Sequence, residues 1–129
     1  MGVRFSFLED GRGVEIVAEG LVEGADIIAV NRQVYAEPYL GRQRYQIIDK
    51  SRCTEYAVSA EEIEQIAELD LQASRINPGI VFAIIESRQL RFSLTELWQA
   101  HLRNSPFATK SFSDRQSALR WISEKRSRE

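Results

Sequence analysis

The chain has 129 residues, 43% of them hydrophobic and 28% charged, with a formal net charge of -2. That is enough apolar material for one core and one domain, and the mild acidity excludes nucleic-acid binding through a general basic field. No apolar run approaches the ~20 residues of a membrane span. The start, Met1 to Phe5, lacks the hydrophobic centre of a signal peptide, and Cys53 and His101, each the sole residue of its type, make neither a disulfide nor a zinc cluster. A cytoplasmic protein without metal or cofactor is expected.

In chain order, Val3, Phe5 and Phe7 alternate with Arg4 and Ser6, the period of a half-buried strand. Glu9-Asp10-Gly11-Arg12-Gly13 reads as a turn, and residues 14–18 as a second strand closing an antiparallel hairpin. Ile27, Val30 and Val34 recur at helical spacing and predict a helix over 24–35, stopped before Pro38 and Gly41. A third strand covers 44–49, followed by a polar loop.

The next helix is the best specified element. Ser59 and Glu62 have the spacing of a capping box, and Val58 and Ile63 that of a hydrophobic staple. Ile63, Ile66, Leu69, Ala73 and Ile76 supply its buried stripe, and Asn77-Pro78-Gly79 ends it. Residues 80–85, nearly all apolar, predict a central strand parallel to the third. Leu90, Leu94, Leu97, Trp98 and then His101 or Leu102 continue at helical spacing, in a helix that starts either after Ser87 or after Ser93, the latter with Glu96 in the spacing of a second capping box. After Pro106, residues 107–112 read as an edge strand. A last helix opens at Ser113 and buries Ala118, Leu119 and Ile122. The predicted order is ββαβαβαβα: an α/β domain over 3–124 with a mixed five-stranded sheet flanked by helices, then a basic tail, 125–129, that frays.

The succession of hairpin, Ile47-Ile48-Asp49 strand, Ser-capped helix, buried 80–85 strand and closing Phe112-Ser113-Asp114 with Ala118-Leu119-Arg120-Trp121-Ile122 resembles the SpoIIAA-like branch of the STAS superfamily. The resemblance implies a non-enzymatic regulatory module that binds another protein, or itself as a homodimer. In signalling STAS domains the third strand leads into an Asp-Ser-Ser-Gly-like motif whose serine is phosphorylated. At the matching place this chain reads Ala57-Val58-Ser59-Ala60, so Ser59 is the remaining hydroxyl, and as an N-cap its oxygen has another task. Asp49, Ser51, Ser59, Glu61 and Glu62 make up the candidate interaction or switch loop.

The same branch is compared with CRAL-TRIO lipid carriers, which implies a second possibility, a small apolar ligand held against Phe92, Leu94 and Trp98. The discriminating property is volume, since a carrier needs a cavity of ~300 Å³ or more. Glu55, Glu61, Glu62, Glu64, Glu68 and Asp70 suggest an acidic helix face suited to an arginine-rich partner. Arg52 beside Cys53 would favour a reactive thiolate. Any anion site is expected among Arg42, Arg44, Arg52, Lys125, Arg126 and Arg128. Tyr35, Tyr39, Phe92 and Trp121 would mark a partner or homodimer surface if two or more share an exposed patch. No catalytic residue is assigned.

Overall fold

Alternating apolar residues place Val3, Phe5 and Phe7 of β1 (Val3–Leu8) opposite Ala18, Ile16 and Val14 of β2 (Gly13–Glu23), an antiparallel pair with one face turned to the core. The computed structural model describes residues 2–88, 90 and 94–127. From β2 the chain continues through α1 (Gly24–Val34), β3 (Tyr45–Ala57), α2 (Ala60–Ile76), β4 (Val81–Ile85), α3 (Thr95–His101), β5 (Ala108–Phe112) and α4 (Arg115–Arg126). The predicted order ββαβαβαβα is the observed one. The sheet runs β1-β2-β3-β4-β5, with every pair after the first parallel.

Because successive parallel crossovers step in one direction with a common hand, α1, α2 and α3 lie on one face of the sheet. There α2 and α3 close over Phe82 and Ile84 of β4, while α1 closes over Val14 and Ile16 of β2. After the edge strand the chain has only the opposite face left, and α4 packs Ala118 and Ile122 against Tyr45, Ile47, Ala83 and Ile85. Of the closing stripe, Leu119 stays 44% exposed. In α2 the terminal Ile76 is 65% exposed, because Asn77 turns the chain away by donating to Leu40 O and Gln43 O, both at 2.8 Å.

The largest departure from expectation is the length of β2 and β3. The predicted polar loop is strand: residues 52–57 pair with 19–23 in a parallel ribbon that continues beyond β4. Register shifts around Gly20 accommodate it, and Gly20 itself sits at φ 61°, a conformation open to glycine at little cost. Two caps also differ. Asp114, not Ser113, caps α4 by accepting from the Ser117 amide at 2.8 Å, and α3 begins after Leu94 (φ 59°) without a side-chain cap. Ser93 lies outside the described residues. Lys125 and Arg126 belong to α4.

Candidate functional site

The predicted switch residues do not form one loop. Asp49 and Ser51 are β3 residues: Asp49 Oδ1 accepts from the Ser51 amide at 2.9 Å and from Ser51 Oγ at 2.6 Å, and Asp49 Oδ2 lies 3.7 Å from the Arg115 guanidinium, which also pairs with Glu15. From Ser51 to Ala57 the strand carries the chain about 20 Å further. Only then comes Ser59, the N-cap of α2. Its Oγ accepts from the Glu62 amide at 3.1 Å, and its own amide donates to Glu62 Oε1 at 3.0 Å. The capping box is complete, and Val58 and Ile63, the staple, are both buried in the main core.

Glu62 also meets α1. A Cβ on Gly24, the first residue of that helix, would collide with the Glu62 carboxylate, so glycine permits a close approach in which the carboxylate faces the first turn of α1. The start of α2 thereby lies against the start of α1, where β2 ends. Beside that junction lies a shallow basin of about 530 Å³ lined by Gly2, Glu19, Leu21, Glu23 and Asp26, in which Leu21 is 48% exposed. Glu19 is held by Arg4 at 2.6 Å and by Arg52 at 3.5 Å, which draw its carboxyl below the usual value, the hydrogen bond from Arg4 being the main cause. Among the described residues, Glu23 and Asp26 form no ion pair. On the neighbouring surface Glu55, Glu61, Glu64 and Glu68 are exposed, so an acidic helix face exists.

Asp70 does not belong to that face. It is 2% exposed and points under the helices, where Tyr35 Oη donates to Oδ1 at 2.6 Å and Trp98 Nε1 to Oδ2 at 2.7 Å. Burial pushes its carboxyl up to about 6, against the pull of those two donors. Lys50 is buried nearby on β3. Its Nζ donates to Thr95 Oγ1 at 3.0 Å and sits 4.6 Å from the Tyr56 ring centre. Thr95 Oγ1 in turn donates to Glu86 Oε1 at 2.5 Å. Desolvation lowers the Lys50 ammonium to about 8, opposed by the attraction of Glu86.

Asp70 and Lys50 both line a cavity of about 60 Å³ between the sheet and α1, α2 and α3, together with Asn31, Gln46, Phe82 and Trp98. It has room for a few waters. Of the predicted apolar pocket, Trp98 lines this cavity, Leu94 packs into the core beside it without lining it, and Phe92 lies outside the described residues. The missed residues left a readable signal. Asp70 falls on the Ile63, Ile66, Ala73 stripe of α2, and Gln46 and Lys50 alternate with Ile47 and Asp49 so as to share the face of Ile48.

Other candidates resolve as follows. Cys53 is fully buried in β3, and burial raises its thiol pKa, which overturns the expectation of a thiolate activated by Arg52. His101 is exposed. Tyr39 stacks on Phe7 at 4.6 Å on the β1 side, and Trp121 lies against Phe112 at 5.7 Å beneath α4, so these two aromatics share no patch. Among the described residues no group of three or more His, Cys, Asp or Glu could hold a metal ion, and no helix is long and apolar enough to cross a membrane.

No protein-family model matches the sequence, and comparison with curated proteins finds no match. Among solved structures the chain is similar to the crystal structure of an uncharacterised protein of the DUF3478 family with a SpoIIAA-like fold from Shewanella loihica PV-4. The identity is 19%, the TM-score 0.53, and the match covers 93% of this chain and 91% of that one. The fold is SpoIIAA-like.

Proposed function

We propose that the chain is a non-enzymatic, cytoplasmic regulatory module of STAS type that binds another protein, or a second copy of itself, at the carboxyl end of β2 and β3. The observation that carries this reading is the exposed Leu21 in a basin edged by Glu23 and Asp26, next to the capped start of α2 where Glu62 approaches Gly24. An apolar anchor within a ring of carboxylates suits a basic partner that inserts one apolar side chain. Ser59, Glu61 and Glu62 lie at the edge of that surface and are the switch residues of the proposal. Phosphate on Ser59 would forfeit the cap and stand beside Glu61 and Glu62, loosening the helix start by repulsion. Asp49 and Ser51 serve the contact of β3 with α4.

Asp70 and Lys50, whose pKa values burial moves toward neutral pH, are sealed beneath helices, which favours binding over acid–base catalysis at the surface. The carrier reading gains less support, since a cavity of about 60 Å³ is far below the ~300 Å³ of a small-molecule site. Native mass spectrometry of the full chain separates the two readings. A monomer or dimer free of retained molecules is expected, whereas a reproducible apolar adduct would overturn the module in favour of the carrier. Leu21→Lys with Glu23→Lys should then abolish capture of the partner in a pull-down, and unchanged capture would move the interaction surface elsewhere.

A further inference from the structure

At the opposite end of the sheet, where β2 and β3 begin, four arginines from three distant stretches of chain converge. Arg12 and Arg44 precede the two strands and are joined through the backbone, the Arg44 amide donating to Arg12 O at 2.6 Å. Arg42 closes the short 3-10 turn Leu40–Arg42, anchored by buried Leu40, and its aliphatic stem lies beside Gly11. Arg126 arrives from the last turn of α4. Its guanidinium donates to Glu9 Oε1 at 3.0 Å and lies 5.1 Å from the Tyr45 ring centre, and Tyr45 Oη donates to the same Glu9 oxygen. With Asp10 and Gly41 these side chains line a concave basin of about 540 Å³.

The charges there are unbalanced. Among the described residues Arg12, Arg42 and Arg44 form no ion pair, and Glu9, the carboxylate that engages Arg126, is shared with Tyr45. Four guanidiniums against Glu9 and Asp10 leave two positive charges uncompensated, in a chain whose net charge is -2. Gathering like charges is unfavourable unless an anion joins them, and a concave surface focuses their field on whatever enters. The ligand class follows from donor geometry. Guanidiniums present planar pairs of N–H groups that match the oxygens of a phosphate, and a doubly charged phosphate group balances the excess where a single carboxylate would not. The loop that carries Arg12 is itself held in an uncommon shape, with Glu9 at φ 50° and Asp10 at φ 57°, both in the left-handed region that non-glycine residues seldom adopt.

We infer that Arg12, Arg42, Arg44 and Arg126 form a binding site for the phosphate groups of a small molecule, at the end of the sheet remote from the proposed protein-interaction surface. It is independent of that surface. Of the basic residues expected to gather, the site takes Arg42, Arg44 and Arg126 and adds Arg12. Arg52 is spent on Glu19, Lys125 lies over Trp121 at 5.7 Å, and Arg128 is outside the described residues.

The test is calorimetric titration of the full chain, in a phosphate-free buffer of low ionic strength, with inorganic pyrophosphate and separately with orthophosphate. Saturable one-to-one binding is expected, weakened about tenfold by Arg12→Gln and by Arg42→Gln, and unchanged by Arg52→Gln at the other end of the ribbon. Absence of saturable binding, or equal binding by wild type and both basin variants, would overturn the site. Amide chemical shifts of the wild-type protein provide a check that needs no variant: Gly11, Arg12, Gly41 and Arg42 should move on titration, and movement confined to other residues would refute it. A phosphoserine peptide bound more tightly than pyrophosphate would overturn the small-molecule assignment.

Discussion

The two faces of the sheet are built differently. Under α1, α2 and α3 the described residues include a buried cluster of twelve hydrophobic side chains, from Leu40 to Phe107, with Asp70, Gln46, Lys50 and Asn31 set among them and a cavity between. Under α4 the buried cluster has six members, two of them alanines, and its polar atoms lie at the margin, in the Tyr45 hydroxyl that reaches Glu9. A single helix lies flat on a strand pair when Ala118 meets Ala83, and nothing then needs a hydrogen-bond partner inside. Three helices crossing a twisted sheet cannot all lie flat, and the space they leave is closed by long side chains that bond to one another. The crowded face therefore combines the greater apolar burial with the buried Asp70 and Lys50, and its stability should respond to both volume and pH.

The largest test of that contrast is Phe82→Ala. Phe82 is 1% exposed and touches the rings of Trp98 at 5.7 Å and Phe107 at 4.9 Å, so truncation should cost about 3–5 kcal/mol in urea unfolding. Ala118→Gly on the other face removes a single methyl and should cost far less, and a reversal of that order would show that α4 carries the core.

Next in size is Asp70. Asp70→Ala leaves the Tyr35 hydroxyl and the Trp98 indole N–H without their shared acceptor and should cost about 2–3 kcal/mol, whereas Asp70→Asn retains a partner for each and should cost less. Wild type and Asp70→Asn also differ in pH dependence. The folded carboxyl, near 6, lies above its ordinary 3.8, so the folded state holds the proton more tightly. The contribution of this group to stability is greatest below the ordinary value and falls as pH rises to about 6. The stability of wild type relative to Asp70→Asn should therefore drop across that window, by on the order of 1–3 kcal/mol. Equal pH profiles would mean that Asp70 is ionised as readily in the folded chain as in the unfolded one.

The smallest expected effect lies at the edge of the crowded face. Ser59→Ala removes an exposed cap and should lower stability by about 1 kcal/mol, read from the same unfolding curves. Loss of several kcal/mol would mean that the junction of α2 with β2 and α1 depends on the cap far more than its exposure indicates.

How much of this was legible in the sequence varied with the range of the physics involved. The α2 start was read fully, because a capping box and staple are contained in six consecutive residues. The 80–85 strand was equally plain, since residues buried on both faces need no alternation. The ribbon from 50 to 57 was not, because its polar residues are strand only by pairing with residues 19–23, a partner thirty positions away. The same distance explains the misreading of Asp70. A carboxylate on an apolar stripe looks like one more solvated acid until Tyr35 and Trp98, from two other helices or their ends, are brought to it. Of the basic positions, proximity in sequence suggested Arg52 with Arg44, yet eight residues of extended strand carry them toward opposite ends of the molecule.

By itself, then, the sequence determined the order and type of the elements, the α/β class and the capped helix, since periodicity, caps and turns act within a few residues of one another. Tertiary structure alone decided which polar side chains are buried, how far β3 extends, and that Leu21 with its carboxylates and the four arginines lie at opposite ends of the sheet. Those outcomes depend on contacts between distant segments, and in a parallel sheet every strand pairing is such a contact.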